Sequence, residues 1–293
     1  MVSITLRKDQ PFNLDLTLSC GQVFRWEKDG GIWRGVVGDS CISIQQRGRV
    51  LSFRGAKPEF ISRYFQLDED LPGILDSIDR DPVIHAAISR CMGLRIIRQP
   101  AWECLASYVI ATYANIPGIK RRISKLCQCY GEPLPGPGIE IFSFPRAHSI
   151  AYQDPCRISE CRLGYRAPYL LKTATMIAGD PDWEERILEL PYEDARKELL
   201  RLKGVGKKVA DCVLLFAFGK KESFPVDVWI QRILESRYLG TKPPSAYDRC
   251  SRFGRDHFGE YAGYAQEYLF CDRAAITKNE MIGNQVPVSQ PDR

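Results

Sequence analysis

Residues 202–227 read LKGVGKKVADCVLLFAFGKKESFPVD, and this stretch decides how the rest of the chain is read. Gly204-Val205-Gly206 places two glycines one residue apart, so the backbone turns tightly there and can leave its N–H groups exposed. A helix starting at Lys207 adds the positive end of its dipole to those amides, which suits a phosphate. With Tyr192–Leu202 as a first helix and Lys207–Phe218 as a second, the segment predicts a helix-hairpin-helix. Such a hairpin grips a nucleic-acid backbone without reading sequence, because its amides see only phosphate oxygens. The plainer alternative is an αα-turn whose glycines serve close packing alone.

Lys207 and Lys208 are adjacent on the second helix, so they point about 100° apart. One can meet phosphates while the other faces a pocket. A lysine beside a second cation and apolar surface, here Val209, Leu214 and Leu215, can serve as a neutral amine nucleophile. Two solvated surface lysines are the competing reading. Phe224-Pro225-Val226-Asp227 weighs against that, since it brings a rigid turn and a carboxylate to the next helix start. Asp227 is equally a helix cap; the roles are compatible because a capping carboxylate is held still.

Working outward, the chain has 293 residues, enough for two domains with cores of their own. At 44% hydrophobic and 26% charged it is neither a disordered nor a fibrous composition. Forty-one basic and 36 acidic residues leave a net charge of +5, which permits a nucleic-acid partner without demanding one. Eleven scattered cysteines, with no C-x-x-C pair and no apolar leader at the N-terminus, read as free thiols of an intracellular protein. No apolar run approaches the roughly 20 residues that cross a bilayer. His85, His148 and His257 lack metal-ligand spacing, so no metal site is expected.

Residues 1 to about 55 read as antiparallel strands. Asn13–Leu18 and Val23–Glu27 alternate polar and apolar, Asp29-Gly30-Gly31 is a turn, and Ile32–Val37, Cys41–Gln45 and Val50–Phe53 follow at hairpin spacing. Helical patterns begin near Pro58, recur over Pro82–Met92 and dominate from Ala101. They cover Trp102–Ala114, Ile119–Tyr130, Ala167–Ala178, Val226–Tyr238, Ala246–His257 and Gly263–Ala274. Residues 133–138 (PLPGPG) are a loop, and the tail after about Lys278 is polar. Strands and helices are segregated, so the fold class is α+β: a small antiparallel β-domain over residues 1–95, then a larger all-α domain over residues 96–293.

The residues resemble the 8-oxoguanine DNA glycosylase/AP lyases of the helix-hairpin-helix superfamily. The likeness runs in order through Leu14-Asp15-Leu16, the segment Cys20–Trp26, the segment Arg98–Leu105 and Leu163–Ala167. It continues through the hairpin with its VADC and PVD, and through Tyr261–Gln266. It implies a TATA-binding-protein-like β-domain on a helical glycosylase domain, acting on double-stranded DNA that contains oxidised guanine. Lys208 is then the nucleophile and Asp227 the catalytic carboxylate. Gly21 senses the N7 hydrogen of 8-oxoguanine, Gln266 holds the base edge, and Phe270 and Cys212 take its two faces. A buried core cysteine is an equally good reading of Cys212. On the DNA side Tyr165 is implied as the wedge and Arg166 as an orphan-base contact, with Asn115 left of the run before the helix that faces the orphan base, and Gly204, Val205, Gly206 and Lys207 on the backbone.

The chain departs from the family pattern in three places. Of an asparagine-rich run before the helix facing the orphan base only Asn115 remains, and Gly118 stands where an arginine contacts the orphan cytosine. Trp229 replaces the histidine two places past the aspartate. Weaker preference for cytosine opposite the lesion is expected. The four clustered cysteines of iron–sulfur cousins are absent, with only Cys250 and Cys271 in that region, so no cluster or other cofactor is expected. A structural cation on hairpin carbonyls is compatible with the sequence. A monomer suffices for one site on a duplex. The alternatives are a monofunctional alkyl-base glycosylase using Asp227 alone, and a non-catalytic helix-hairpin-helix DNA-binding module.

Overall fold

The computed structural model describes residues 1–135, 141–240 and 246–276. The N-terminal part is a five-stranded antiparallel sheet in the order β1-β5-β4-β3-β2. Its strands are β1 (Val2–Thr5), β2 (Trp26–Asp29), β3 (Ile32–Val37), β4 (Ser40–Arg47) and β5 (Val50–Arg54). The β2-β3-β4-β5 meander follows from the hairpin spacing in the sequence, with Trp33 opposite Ile44 and Ile44 opposite Phe53 on the buried face.

One expected strand is a helix. Leu14–Ser19 forms α1, with the Asn13 side chain accepting from Leu16 N at 3.0 Å. Leu14, Thr17 and Leu18 are buried, an i, i+3, i+4 set hidden inside what also reads as alternation. Six residues satisfy either period, and the Asn13 cap selects the helix. The fifth strand comes from Val2–Thr5 instead, paired along the sheet edge with β5. Val23–Arg25 stays irregular, and β2 starts only at Trp26.

Three helices follow the sheet: α2 (Pro58–Tyr64), α3 (Leu71–Ile78) and α4 (Pro82–Arg90). α3 carries Pro72 and Gly73 in its first turn. Proline is tolerated in a first turn, where its missing N–H has no helical partner. The larger array comprises α5 (Ala101–Ala111), α6 (Ile116–Tyr130), α7 (Ala147–Ala151), α8 (Pro155–Ser159), α9 (Ala167–Ala178), α10 (Trp183–Glu189) and α11 (Tyr192–Leu200). It closes with α12 (Lys207–Phe216), α13 (Val228–Leu234), α14 (Tyr247–Phe258) and α15 (Ala262–Cys271). A wider turn over Glu235–Leu239 extends α13. Within the proline-rich segment, Pro133–Leu134 pairs with Ile141–Phe142 as a two-residue ladder. The rest of that segment from Gly136, and the tail after Lys278, lie outside the described residues. No described helix is long and apolar enough to cross a membrane, and all eleven cysteines are free.

Two cores result. Trp26, Trp33, Ile44, Phe53 and Phe65 fill the one between the sheet, α1 and α2; α3 and α4 join the larger helical core. The segment from Gly93 to Gln99 ties them. Arg95, fully buried, donates to the carbonyls of Pro11 and Glu69 at 3.3 and 3.1 Å and to Gln10 Oε1 at 3.0 Å.

Candidate active site

The hairpin divides its two glycines between the two readings. Gly204 has φ +80°, and a Cβ there would lie 2.5 Å from Tyr169 Cβ on α9, so packing and backbone both require glycine. Gly206 faces open space and leaves the start of α12 without a side-chain cap. Gly206 thus gives the first amides of α12 no side-chain cap, which suits a phosphate-binding terminus. Val205 between them is buried. Lys207 is exposed and ion-paired with Asp248 of α14.

Lys208 is half-buried one position on, with Nζ 5.2 Å from the centroid of the Tyr108 ring on α5. Cys212, one turn further along α12, is buried, and burial pushes its thiol up to about 12, while the Lys208 charge draws it down. Asp227 caps α13, its Oδ1 accepting from Trp229 N at 2.9 Å and Ile230 N at 2.8 Å. Both bonds land on Oδ1, so the cap leaves Oδ2 unengaged. Trp229 in that first turn is part-exposed, with Arg232 Cζ 5.3 Å from its ring.

The backbone before Asp227 is held by a hub the sequence did not announce. Asp211, fully buried on α12, accepts from Tyr192 OH at 2.8 Å, Arg196 Nε at 2.7 Å and Tyr247 OH at 2.6 Å. Tyr247 OH in turn accepts from Val226 N at 3.3 Å. One carboxylate thus joins both hairpin helices, α14 and the turn carrying Asp227.

Tyr108, which lies beside Lys208, also touches the loop from Cys20 to Arg25. Gln22 fixes it, donating to Thr17 O at 3.1 Å and Arg95 O at 2.9 Å and accepting from Ile97 N at 2.8 Å. Gln99 and Tyr108 both donate to the Gln22 carbonyl. Gly21 holds φ +102°, and a Cβ on it would sit 3.4 Å from Ile116 Cδ1 and 3.6 Å from Phe270 Cε1. Gly21 and Phe270 are therefore neighbours. Gln266, one turn before Phe270 on α15, is 5% exposed, and its Oε1 is buried with no hydrogen-bond partner among the described residues. Arg273 Cζ lies 4.1 Å from the Phe270 ring.

Glu267, also missed by sequence reasoning, is buried beside Gln266 and accepts from the Cys20 thiol at 3.6 Å. Lys208 and Asp227 act on Glu267 and Cys212 with opposite sign, which puts all four in one electrostatic neighbourhood.

On the outer side, Asn115 caps α6, its Oδ1 accepting from Gly118 N at 2.9 Å. Tyr165 is half-exposed, and its hydroxyl donates to Thr112 O at 3.1 Å. Arg166 is 5% exposed and donates to the carbonyls of Thr112 and Tyr113, so its guanidinium is held within the fold.

The fold, with Lys208 in the first turn of the second hairpin helix and Asp227 capping the next helix, is that of a helix-hairpin-helix glycosylase. Comparison with known proteins narrows this. The N-terminal domain profile of 8-oxoguanine DNA glycosylase matches residues 3–105. A probable N-glycosylase/DNA lyase of Methanothermobacter thermautotrophicus is 30% identical, over 88% of this chain and 92% of its own. The 8-oxoguanine glycosylase/lyase of Clostridium acetobutylicum is 32% identical in its apo form, with TM-score 0.86 over 92% of this chain and 96% of its own. In complex with double-stranded DNA containing cytosine opposite 8-oxoguanine, it superposes with TM-score 0.86 at 30% identity, over 95% of this chain and 99% of its own. The chain belongs to the 8-oxoguanine DNA glycosylase/AP lyase family.

Proposed function

We propose that the protein is a bifunctional 8-oxoguanine DNA glycosylase and AP lyase, working inside the cell in base-excision repair of double-stranded DNA. The observation that carries the reading is Gln266 Oε1. A buried acceptor without a donor is costly, and a ligand that supplies an N–H removes the cost. The Watson–Crick edge of a flipped guanine offers such donors, and the Phe270 ring beside Gln266 offers a stacking face.

In the proposed reaction the hairpin amides at Gly204–Lys207 hold the backbone while the damaged nucleotide swings into the pocket. Gly21 meets the base at its N7 side. Lys208, as the neutral amine, attacks C1′ through Nζ; the new C–N bond forms as the bond to the base breaks and the base leaves with the electron pair. Asp227 stabilises positive charge developing on the sugar, and its capping bonds fix its position. Loss of a proton and ring opening give a Schiff base. Removal of a C2′ proton then expels the 3′ phosphate and nicks the strand. Lys208 and Asp227 supply this chemistry themselves, and one chain serves one lesion.

Borohydride trapping on a duplex with a single 8-oxoguanine tests the reading. Wild type should give a covalent complex and Lys208→Gln none, with Asp227→Asn strongly slowed. Base release without trapping would make the enzyme monofunctional; neither release nor trapping would leave a binding module.

A further inference from the structure

Two thiols that the reaction does not use meet where α4 and α15 end. Cys91 is the C-terminal cap of α4, its N–H donating to Ala87 O at 2.9 Å, and Cys271 is the last residue of α15. The Cys91 thiol donates to the Cys271 sulfur. Flanking residues hold the two chain ends together on both sides. Arg90, just before Cys91, makes a bidentate pair with Asp272, just after Cys271, at 2.6 and 2.5 Å. Cys91 O accepts from Leu94 N at 3.1 Å, and Leu94 O accepts at 3.0 Å from the hydroxyl of Tyr268, about one turn before Cys271. The thiols are thus bracketed by an ion pair and a hydrogen bond between the same two elements.

The two differ in access and in acidity. Cys91 is 3% exposed, while Cys271 is only half-buried. The hydrogen bond from Cys91 draws the Cys271 thiol below its ordinary value; burial and Glu267 oppose this, the Arg273 charge assists it, and Asp272 opposes it. The same bond, with burial, pushes Cys91 up. One thiol is reachable and ionises readily, and the other lies protonated beside it, the pattern of an attacking and a resolving cysteine. Cys20, the next thiol along this seam, is committed to Glu267.

We propose that Cys91 and Cys271 are a modification site, converted by a peroxide to a disulfide that ties the end of α15 to α4. The Cys271 thiolate attacks hydrogen peroxide; an S–O bond forms, the O–O bond breaks, and hydroxide leaves with the electron pair and is protonated to water. The Cys91 sulfur then attacks the sulfenic sulfur, and its proton leaves with the hydroxyl as a second water. Two electrons pass from the thiols to the peroxide. The bridge closes a long loop from Cys91 to Cys271 that contains the hairpin, Lys208 and Asp227, so it restricts the unfolded chain. Cys271 directly follows Phe270, so the bridge secures the end of the helix that presents that ring. The site is independent of the substrate reading above.

The test treats the full chain with hydrogen peroxide, alkylates it, digests it without reductant and maps the peptides by mass spectrometry, alongside thermal unfolding of treated and untreated protein. Wild type should give a Cys91–Cys271 cross-linked peptide that dithiothreitol removes, and should unfold about 5–10 °C higher when bridged. Cys271→Ser should give neither the peptide nor the shift. Cys129→Ser, which changes an exposed thiol on α6, should give both. Sulfinic acid at Cys271 with Cys91 still open to alkylation after unfolding, or bridges between other pairs instead, would overturn the pairing. So would free thiols at both positions after a dose that oxidises the exposed Cys129 and Cys156. A bridge without a rise in unfolding temperature would overturn its role as a tie between the helices.

Discussion

Cys20 Sγ lies 3.6 Å from Oε2 of Glu267, and this contact joins the loop bearing Gly21 to the helix bearing Gln266 and Phe270. Burial pushes the Glu267 carboxyl up to about 7. The Cys20 hydrogen bond opposes that shift, Asp227 adds to it, and the charges of Arg273 and Lys208 work against it. The seam between that loop and that helix therefore changes charge near neutral pH.

That shift has a stability consequence. The carboxyl ionises near 4.5 when unfolded and near 7 when folded, so the folded chain binds the extra proton between these values. Stability from this group is intact below 4.5 and falls as pH rises to about 7. The loss is about 3 kcal/mol at most, from about 1.4 kcal/mol per unit. Glu267→Gln removes the titration. Its stability relative to wild type should rise by about 1–3 kcal/mol from about pH 5 to about pH 8, measured by urea unfolding. Parallel curves for the two proteins would show that Glu267 stays ionised throughout.

The Asp211 hub predicts two graded effects. Asp211→Ala leaves Tyr192, Arg196 and Tyr247 without their shared acceptor and should cost about 3–5 kcal/mol. Tyr247→Phe removes one bond to Asp211 and the acceptor for Val226 N, and should cost about 1 kcal/mol. Because Val226 precedes Asp227, the milder variant should lower the base-release rate while leaving DNA affinity near wild type. Equal losses in both would make Tyr247 a structural residue only.

What could be read before folding, and what could not, follows from range. Lys208 and Asp227 are legible because glycine turns, adjacent lysines and a proline-led cap are local signals. The long helices α5, α6 and α9 are legible because their apolar period runs for ten residues or more. α1 is too short for its period to decide, and only the Asn13 cap separates helix from strand. Asp211 and Glu267 read as ordinary surface charges, and nothing local marks them as buried; partners from α11, α14 and the Cys20 loop do that.

The two hairpin glycines should separate stability from DNA binding. Gly204→Ala puts a Cβ 2.5 Å from Tyr169 Cβ at φ +80° and should cost more than about 2 kcal/mol. Gly206→Ala meets nothing within 4 Å, and its φ of −91° suits any residue. It should cost less than about 1 kcal/mol, and its effect should fall on salt-dependent DNA affinity. Thermal unfolding and DNA titration of both variants check this; equal unfolding shifts would contradict it.

The resemblance places orphan-base contacts where α6 begins. A side chain at Gly118 would start 2.9 Å from Asn115 Oδ1 and 3.1 Å from Arg122 Nη1, so capping and Arg122 already occupy the space. Asn115 Oδ1 is committed to Gly118 N, and Arg166 to the Thr112 and Tyr113 carbonyls. The groups that resemblance assigns to the orphan cytosine are thus absent or spent. A good bidentate contact discriminates by about 1–3 kcal/mol. Without one, release rates on 8-oxoguanine opposite each of the four bases should agree within about tenfold. Arg122 Nη1 is buried with no partner among the described residues, which makes it a donor beside this helix start. Any residual cytosine preference should therefore flatten in Arg122→Ala. A cytosine preference above about a hundredfold that survives this substitution would show that another group reads the orphan base.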